Sequence, residues 1–139
     1  PVLRSLKQVR RRGRHLEIVN LVVPTLNDAE ASLRDLAAWI HGELGPDVPV
    51  HFTRFHPDYK LLHLPPTPVA TLERARALAL AAGLRYVYGG NVPGHAGNDT
   101  YCPRCHQVVI RRSGFFVTEN RLRGGQCRQC QHSIPGVWA

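Results

Sequence analysis

Leu16-Glu17-Ile18-Val19-Asn20-Leu21-Val22-Val23-Pro24 is the stretch that decides the fold. It ends in a continuous apolar run, Leu21-Val22-Val23, as expected of a strand covered on both faces, and Pro24 stops it. Upstream, Val2, Leu3, Leu6 and Val9 recur at helical spacing, so Pro1 to Arg12 reads as a helix closed by Gly13. Downstream, Asn27 is placed to cap a second helix, with Glu30 completing a capping box. Leu33, Leu36, Ala37 and Ile40 give that helix one apolar face, and Gly45-Pro46 ends it. Val50 to Phe55 is a second strand. Thr67 then caps a third helix with Pro68 at its first position, Leu72, Ala75, Ala79 and Ala82 on one face, and Gly83 at its end. Tyr86 to Tyr88 is a third short strand, closed by Gly89-Gly90. Strands joined by helices in this order must lie parallel in one sheet with right-handed crossovers.

Three strands make a poor free-standing α/β domain. Either the sheet is small or strands are missing on its N-terminal side. The chain contains no Met, even at position 1, which also suggests a piece of something longer. After Gly97 the helical pattern gives way to short β-like segments around four cysteines. A boundary near 97 therefore separates residues 1–97 from residues 98–139.

With 139 residues, 43% hydrophobic and 20% charged, the composition is that of an ordinary folded domain. No apolar run approaches the roughly 18 residues of a membrane span, and no secretory pattern opens the chain, so a cytoplasmic location is expected. Net charge is +8. Such an excess attracts nucleic acid, anionic lipid or acidic ligands, but the charges are spread along the chain, and a basic surface with no specific partner is the plainer reading. The one tight cluster, Arg10, Arg11, Arg12 and Arg14, sits where a helix C-terminus favours cations.

All four cysteines fall in two pairs, Cys102-x2-Cys105 and Cys127-x2-Cys130. Two such turns complete a tetrahedral four-sulfur site, the pattern of a zinc ribbon. Twenty-one residues, His106 to Gln126, separate the pairs, just beyond the usual spacing of about 15–20. Val108 to Ile110 and Phe115 to Val117 would be the strands between the knuckles, with Gly114 at their turn. Zinc leads; iron or an iron–sulfur cluster, and two disulfides, are the alternatives. His106 and His132 flank the knuckles, but four sulfurs already fill the site.

A second constellation, Arg54-Phe55-His56-Pro57-Asp58-Tyr59-Lys60, directly follows a strand. In parallel α/β sheets, ligands bind at the carboxyl ends of strands. The ends of the other two strands, at Pro24 and at Gly90-Asn91, should face the same side. From spacing alone, His56 is as readily a surface histidine, and Asp58 with Lys60 a solvated ion pair.

Val22-Val23-Pro24-Thr25-Leu26-Asn27-Asp28, Arg54 to Lys60, Pro65-Pro66-Thr67-Pro68, Tyr86-Val87-Tyr88, Gly90-Asn91-Val92-Pro93-Gly94-His95, Tyr101-Cys102-Pro103 and Ile134-Pro135-Gly136-Val137-Trp138 follow one another in a single order. This order resembles the C-terminal portion of the radical SAM enzyme of the AmmeMemoRadiSam system, a family similar to pyruvate formate-lyase activating enzymes, and it covers essentially the whole chain. The resemblance implies an α/β fold, the C-terminal half of a partial (β/α) barrel, followed by a small zinc-ribbon or rubredoxin-like β module. It implies an activity too: reductive cleavage of S-adenosylmethionine by a [4Fe–4S] cluster to a 5′-deoxyadenosyl radical. Leu21 and His56 would contact S-adenosylmethionine. Arg54, Asp58, Tyr59, Lys60 and Asn91 would line the substrate side of the barrel mouth. The family's C-x3-C-x2-C cluster motif and its glycine-rich strand are absent, and Thr25 stands where Gly is usual. This chain alone should therefore be inactive, its partners being the missing N-terminal half of the barrel and an unknown substrate, a protein among the candidates.

The rival expectation comes from another class. Arg111, Arg112, Arg121, Arg123 and Arg128 surround the ribbon, and Phe115 and Phe116 could stack on bases, which would make a basic zinc-ribbon module for nucleic acid or protein. The same two Phe are as readily the ribbon's small core.

Overall fold

The computed structural model describes residues 1–138. Its first part runs α1 (Val2–Arg11), β1 (Ile18–Val22), α2 (Glu30–Leu44), β2 (Val50–Arg54), α3 (Val69–Ala81) and β3 (Val87–Gly90). The three strands are parallel in the order β1-β2-β3, with Ile18 beside Val50 and Val50 beside Val87. They form a small open sheet rather than a closed barrel.

Alternation along each strand decides what is buried. Val22, Val50, Phe52 and Val87 face the helices and form a core with Leu33, Ala37, Ile40, Leu72, Ala75 and Ala79. The buried alanines let α2 and α3 approach the sheet closely. The opposite face carries Val19, Leu21, His51, Thr53, Tyr88 and Gly90, which follow from the same register. Val19 is 68% and Leu21 47% exposed. The expectation that the first strand is covered on both faces is thus corrected: the helices cover one face only, and the apolar run does not alternate with polar residues because the second face is also apolar at β1.

Two expected helix caps are corrected as well. α2 begins at Glu30 after Ala29 with no side-chain cap. Asn27 instead turns back to the strand, accepting from the Val23 N–H at 2.7 Å and donating to the Leu21 carbonyl at 2.9 Å. The residue at the N-cap of α3 is Pro68. Thr67 is fully buried, and its hydroxyl donates to the Val22 carbonyl and accepts from the Phe55 N–H at 3.0 Å. Both side chains tie strand ends together, because those backbone groups lie just past the sheet ladder and need partners. Helix α1 is held to the end of α2 by Arg10, whose Nε donates to the Leu44 carbonyl at 2.7 Å.

The second part holds β4 (Thr100–Tyr101), β5 (Val108–Ser113) and β6 (Phe116–Asn120) in an antiparallel sheet, and β7 (Leu122–Arg123) paired with β8 (Gln126–Cys127). Ser113 pairs with Phe116 across a two-residue turn whose first residue, Gly114, has φ +58. Glycine is required there, since a tight hairpin turn of this hand puts its first residue in the left-handed region. Cys102, Val109, Ile110, Leu122, Cys127 and Ile134 form a second small core against Tyr86. Phe115 and Phe116 are not part of it: they are 99% and 78% exposed. The hairpin tip extends past that core, so no described residue covers them.

Candidate functional site

Each cysteine pair builds the same local turn. The His106 N–H donates to the Cys102 carbonyl at 2.9 Å, and the Gln131 N–H to the Cys127 carbonyl at 2.8 Å. Both closing residues are left-handed, His106 at φ +58 and Gln131 at φ +60, in positions where glycine would be unstrained. The two turns face each other. All four thiols are free, and their sulfurs lie within 4.8 Å of one another. Cys102 Sγ is 3.5 Å from Cys130 Sγ, and Cys105 Sγ is 3.7 Å from Cys127 Sγ.

These distances suit a single ion. Four sulfurs about 2.3 Å from a tetrahedral centre stand roughly 3.8 Å apart. A four-iron cluster would need its cysteines spread around the cluster rather than gathered about one point. Sulfur separations of 3.5 and 3.7 Å are far beyond the roughly 2.05 Å of a disulfide bond, in keeping with four free thiols.

Electrostatics lead to the same conclusion. At Cys105 the Gln107 N–H favours the thiolate, but burial and the three neighbouring sulfurs outweigh it and push its pKa up to about 12. Burial also raises Cys102, against N–H groups of Cys105 and Arg104. At Cys127 burial opposes the thiolate, yet N–H groups of Cys130 and Gln129 and the adjacent thiols bring its pKa down to about 7. Four thiols this close cannot all ionise without a cation to compensate them, and a bound Zn2+ or iron ion does that. The four cysteines are therefore a metal-binding cluster consistent with a ribbon-type module.

The strand-end residues divide into three groups. Leu21 and His56 are both exposed on the rim. Arg54 is braced, its Nε donating to the Thr67 carbonyl at 2.8 Å, and Asn91 reaches across to the Arg54 carbonyl at 3.2 Å. Asp58, Tyr59 and Lys60 turn outward and satisfy one another: Asp58 accepts the Tyr59 N–H at 2.7 Å, and the Lys60 ammonium lies 5.2 Å from the Tyr59 ring centre. Thr25 sits at φ +67, and its N–H donates to Asp58's counterpart in the first turn, Asp28 Oδ1, at 2.9 Å. A β-branched residue is strained there, which explains why glycine suits this turn.

A further group on the open face was missed from sequence. Glu17 accepts from, or pairs with, His15 at 2.9 Å and His51 at 2.8 Å. Burial works to raise the Glu17 carboxyl, but those two histidines outweigh it and hold it below the ordinary value of 4.5. The His51 ring stacks on Tyr88 with centres 4.8 Å apart, and Tyr88 Oη lies 3.0 Å from Thr100 Oγ1. The Arg112 guanidinium lies 5.6 Å from the Tyr88 ring centre. Strand parity, which puts His51 and Thr53 on one face, was the available signal; the approach of Arg112 from the ribbon had none.

No family model matches the chain. Over 139 residues it is 51% identical to an uncharacterized protein of Methanocaldococcus jannaschii. That match covers 99% of this chain and 42% of the archaeal protein, so the chain spans less than half of its relative's length. Among the described residues, no helix is long and apolar enough to cross a membrane.

Proposed function

We propose that this chain is the later part of a radical SAM barrel, three β/α elements whose open sheet face looks into the lumen, joined to a structural metal ribbon. The observation that carries this reading is the one-sided sheet: parallel strands with every helix on one face, and Val19, Leu21, His51, Thr53 and Tyr88 on the other. A barrel needs that arrangement, because its helices lie outside and its side chains line the interior. The order of segments from Val22 to Trp138, which resembles that family, supports the same reading.

In such enzymes S-adenosylmethionine, bound with a [4Fe–4S] cluster, supplies a 5′-deoxyadenosyl radical. This chain would contribute binding and orientation. Leu21 offers an exposed apolar surface at the end of β1. His56 carries an imidazole with no hydrogen-bond partner among the described residues, free to bond a ribose or carboxylate oxygen. Arg54 and Asn91, tied to backbone carbonyls, hold the substrate-side rim in shape; Asp58, Tyr59 and Lys60 lie farther out on it. The four cysteines close about one ion, so the cluster's ligands and the rest of the barrel would come from an N-terminal half, in a cytoplasmic protein. The test uses the longer protein with its cluster intact. His56→Ala should weaken S-adenosylmethionine binding about tenfold in equilibrium dialysis, the loss of roughly one hydrogen bond. Unchanged affinity, or no binding by the parent, overturns the assignment.

A second reading, a nucleic-acid-binding ribbon, is favoured by one observation, the exposure of Phe115 and Phe116 on a module that also exposes Arg123 and Arg128. Oligonucleotide binding that falls steeply with added salt and disappears in Phe116→Ala would support it. Absence of binding at low salt would leave the first reading alone.

A further inference from the structure

We infer that the cleft between the open sheet face and the ribbon hairpin binds a monocarboxylate with a flat apolar body, its carboxylate held by Arg112. The cleft has a volume of about 600 Å³, and Val19, Thr53, Tyr88, Val92, Arg112 and Phe115 are among the residues lining it. That is the size of a small-molecule site, with apolar surface set among polar groups that can orient a ligand. Its floor depends on Gly90, where an added Cβ would lie 2.7 Å from Thr53 Cγ2.

Arg112 supplies the charge. Its neighbour Arg111 pairs with Asp99 and Glu119. Arg112 is partly buried, and among the described residues its guanidinium has no carboxylate partner. Its Nη1 is held by two neutral acceptors, the Asn98 carbonyl at 3.0 Å and Thr100 Oγ1 at 2.8 Å. The Nε and Nη2 edge takes no protein acceptor among the described residues, and that edge is the fork a carboxylate engages with two hydrogen bonds. Glu17 also lines the cleft, so the wall carries a negative charge of its own. His51 lines the cleft too and pairs with Glu17 at 2.8 Å, so Arg112 is the one charge there without a charged partner among the described residues, which favours a monoanion over a phosphate dianion. Phe115 at the hairpin tip reaches the mouth of the cleft with its ring 99% exposed, an apolar surface for the body of the ligand.

This site shares the open face with the reading above but needs neither S-adenosylmethionine nor a cluster, so the two fail separately. The probe is 2-naphthoate, titrated into the metal-loaded chain and followed by amide NMR shifts. Saturable shifts at Thr53, Tyr88, Gly90 and Phe115 are expected. Arg112→Gln should weaken binding at least tenfold, Arg112→Lys less, and 2-naphthamide, with the same body and no charge, should bind as weakly as the Gln variant does with naphthoate. Arg112 also braces the ribbon, so Phe115→Ser is the second variant; it changes only an exposed tip and should weaken binding severalfold. Wild-type affinity in a folded Arg112→Gln variant, equal binding of the amide, or no saturable shift up to about 10 mM naphthoate overturns the inference.

Discussion

Thr67 shows how one hydroxyl joins distant parts of the chain. It is fully buried, donates to the Val22 carbonyl and accepts the Phe55 N–H. Thr67→Val keeps the shape and removes both bonds, leaving two buried backbone groups unpaired. Each such group costs about 1–3 kcal/mol, so urea unfolding of the metal-loaded chain should show a loss of roughly 2–4 kcal/mol. In sequence, Thr67 and Asn27 carry a helix-cap signature, since Thr and Asn before a helix are the usual caps. The same hydrogen-bonding capacity serves a strand end equally well, and only the backbone's position in space decides which partner is nearer. The cysteines did not pose that problem. A C-x2-C turn closes on itself within a few residues, so its geometry is local and the four ligands were legible from spacing.

At the scale of elements, the ribbon is held by its ion and by a core of few residues. Cys102 and Cys127 are themselves part of that core, with Val109, Ile110, Leu122 and Ile134. The sheet and helices have a separate and larger core around Phe52, Leu33 and Ile40. Removal of the metal by a strong chelator should therefore act unevenly. Amides of β5, β6 and β8 should lose hydrogen-exchange protection, while those of α2, α3 and β2 keep theirs, because metal binding contributes folding free energy only where the ligands sit. Uniform loss of protection would show that the two cores unfold as one. Strand and helix positions were readable from periodicity, as was the hairpin turn at Gly114. The exposure of Phe115 and Phe116 was not, since apolar residues at the start of an expected strand mark a core and an exposed tip alike.

For the whole molecule, acid stability has one identifiable contributor on the open face. The folded carboxyl of Glu17 titrates below 4.5, with His15 and His51 favouring its charged form. A lowered carboxyl contributes stability that is fully present above 4.5 and lost as pH falls through the folded value. The Glu17 side chain is 46% exposed, so the contribution is no more than about 1 kcal/mol. The gap in urea midpoint between the parent and Glu17→Gln should be at full size just above 4.5 and shrink as pH falls below it. A gap that persists into acid would assign the effect to packing instead.

Sequence by itself determined what depends on near neighbours: three helices and three strands in alternation, hence parallel pairing, and four cysteines fit for one ion. Tertiary structure alone decided which face of the sheet stays open, which polar side chains join strand ends rather than cap helices, and that Arg112 from the ribbon reaches over Tyr88. The physical reason is the range of the interactions. Periodicity and tight turns act over a few residues and leave their mark in the sequence. Burial and ion pairing act between surfaces brought together by folding, and Tyr88 and Arg112, far apart along the chain, acquire their environment only when those surfaces meet.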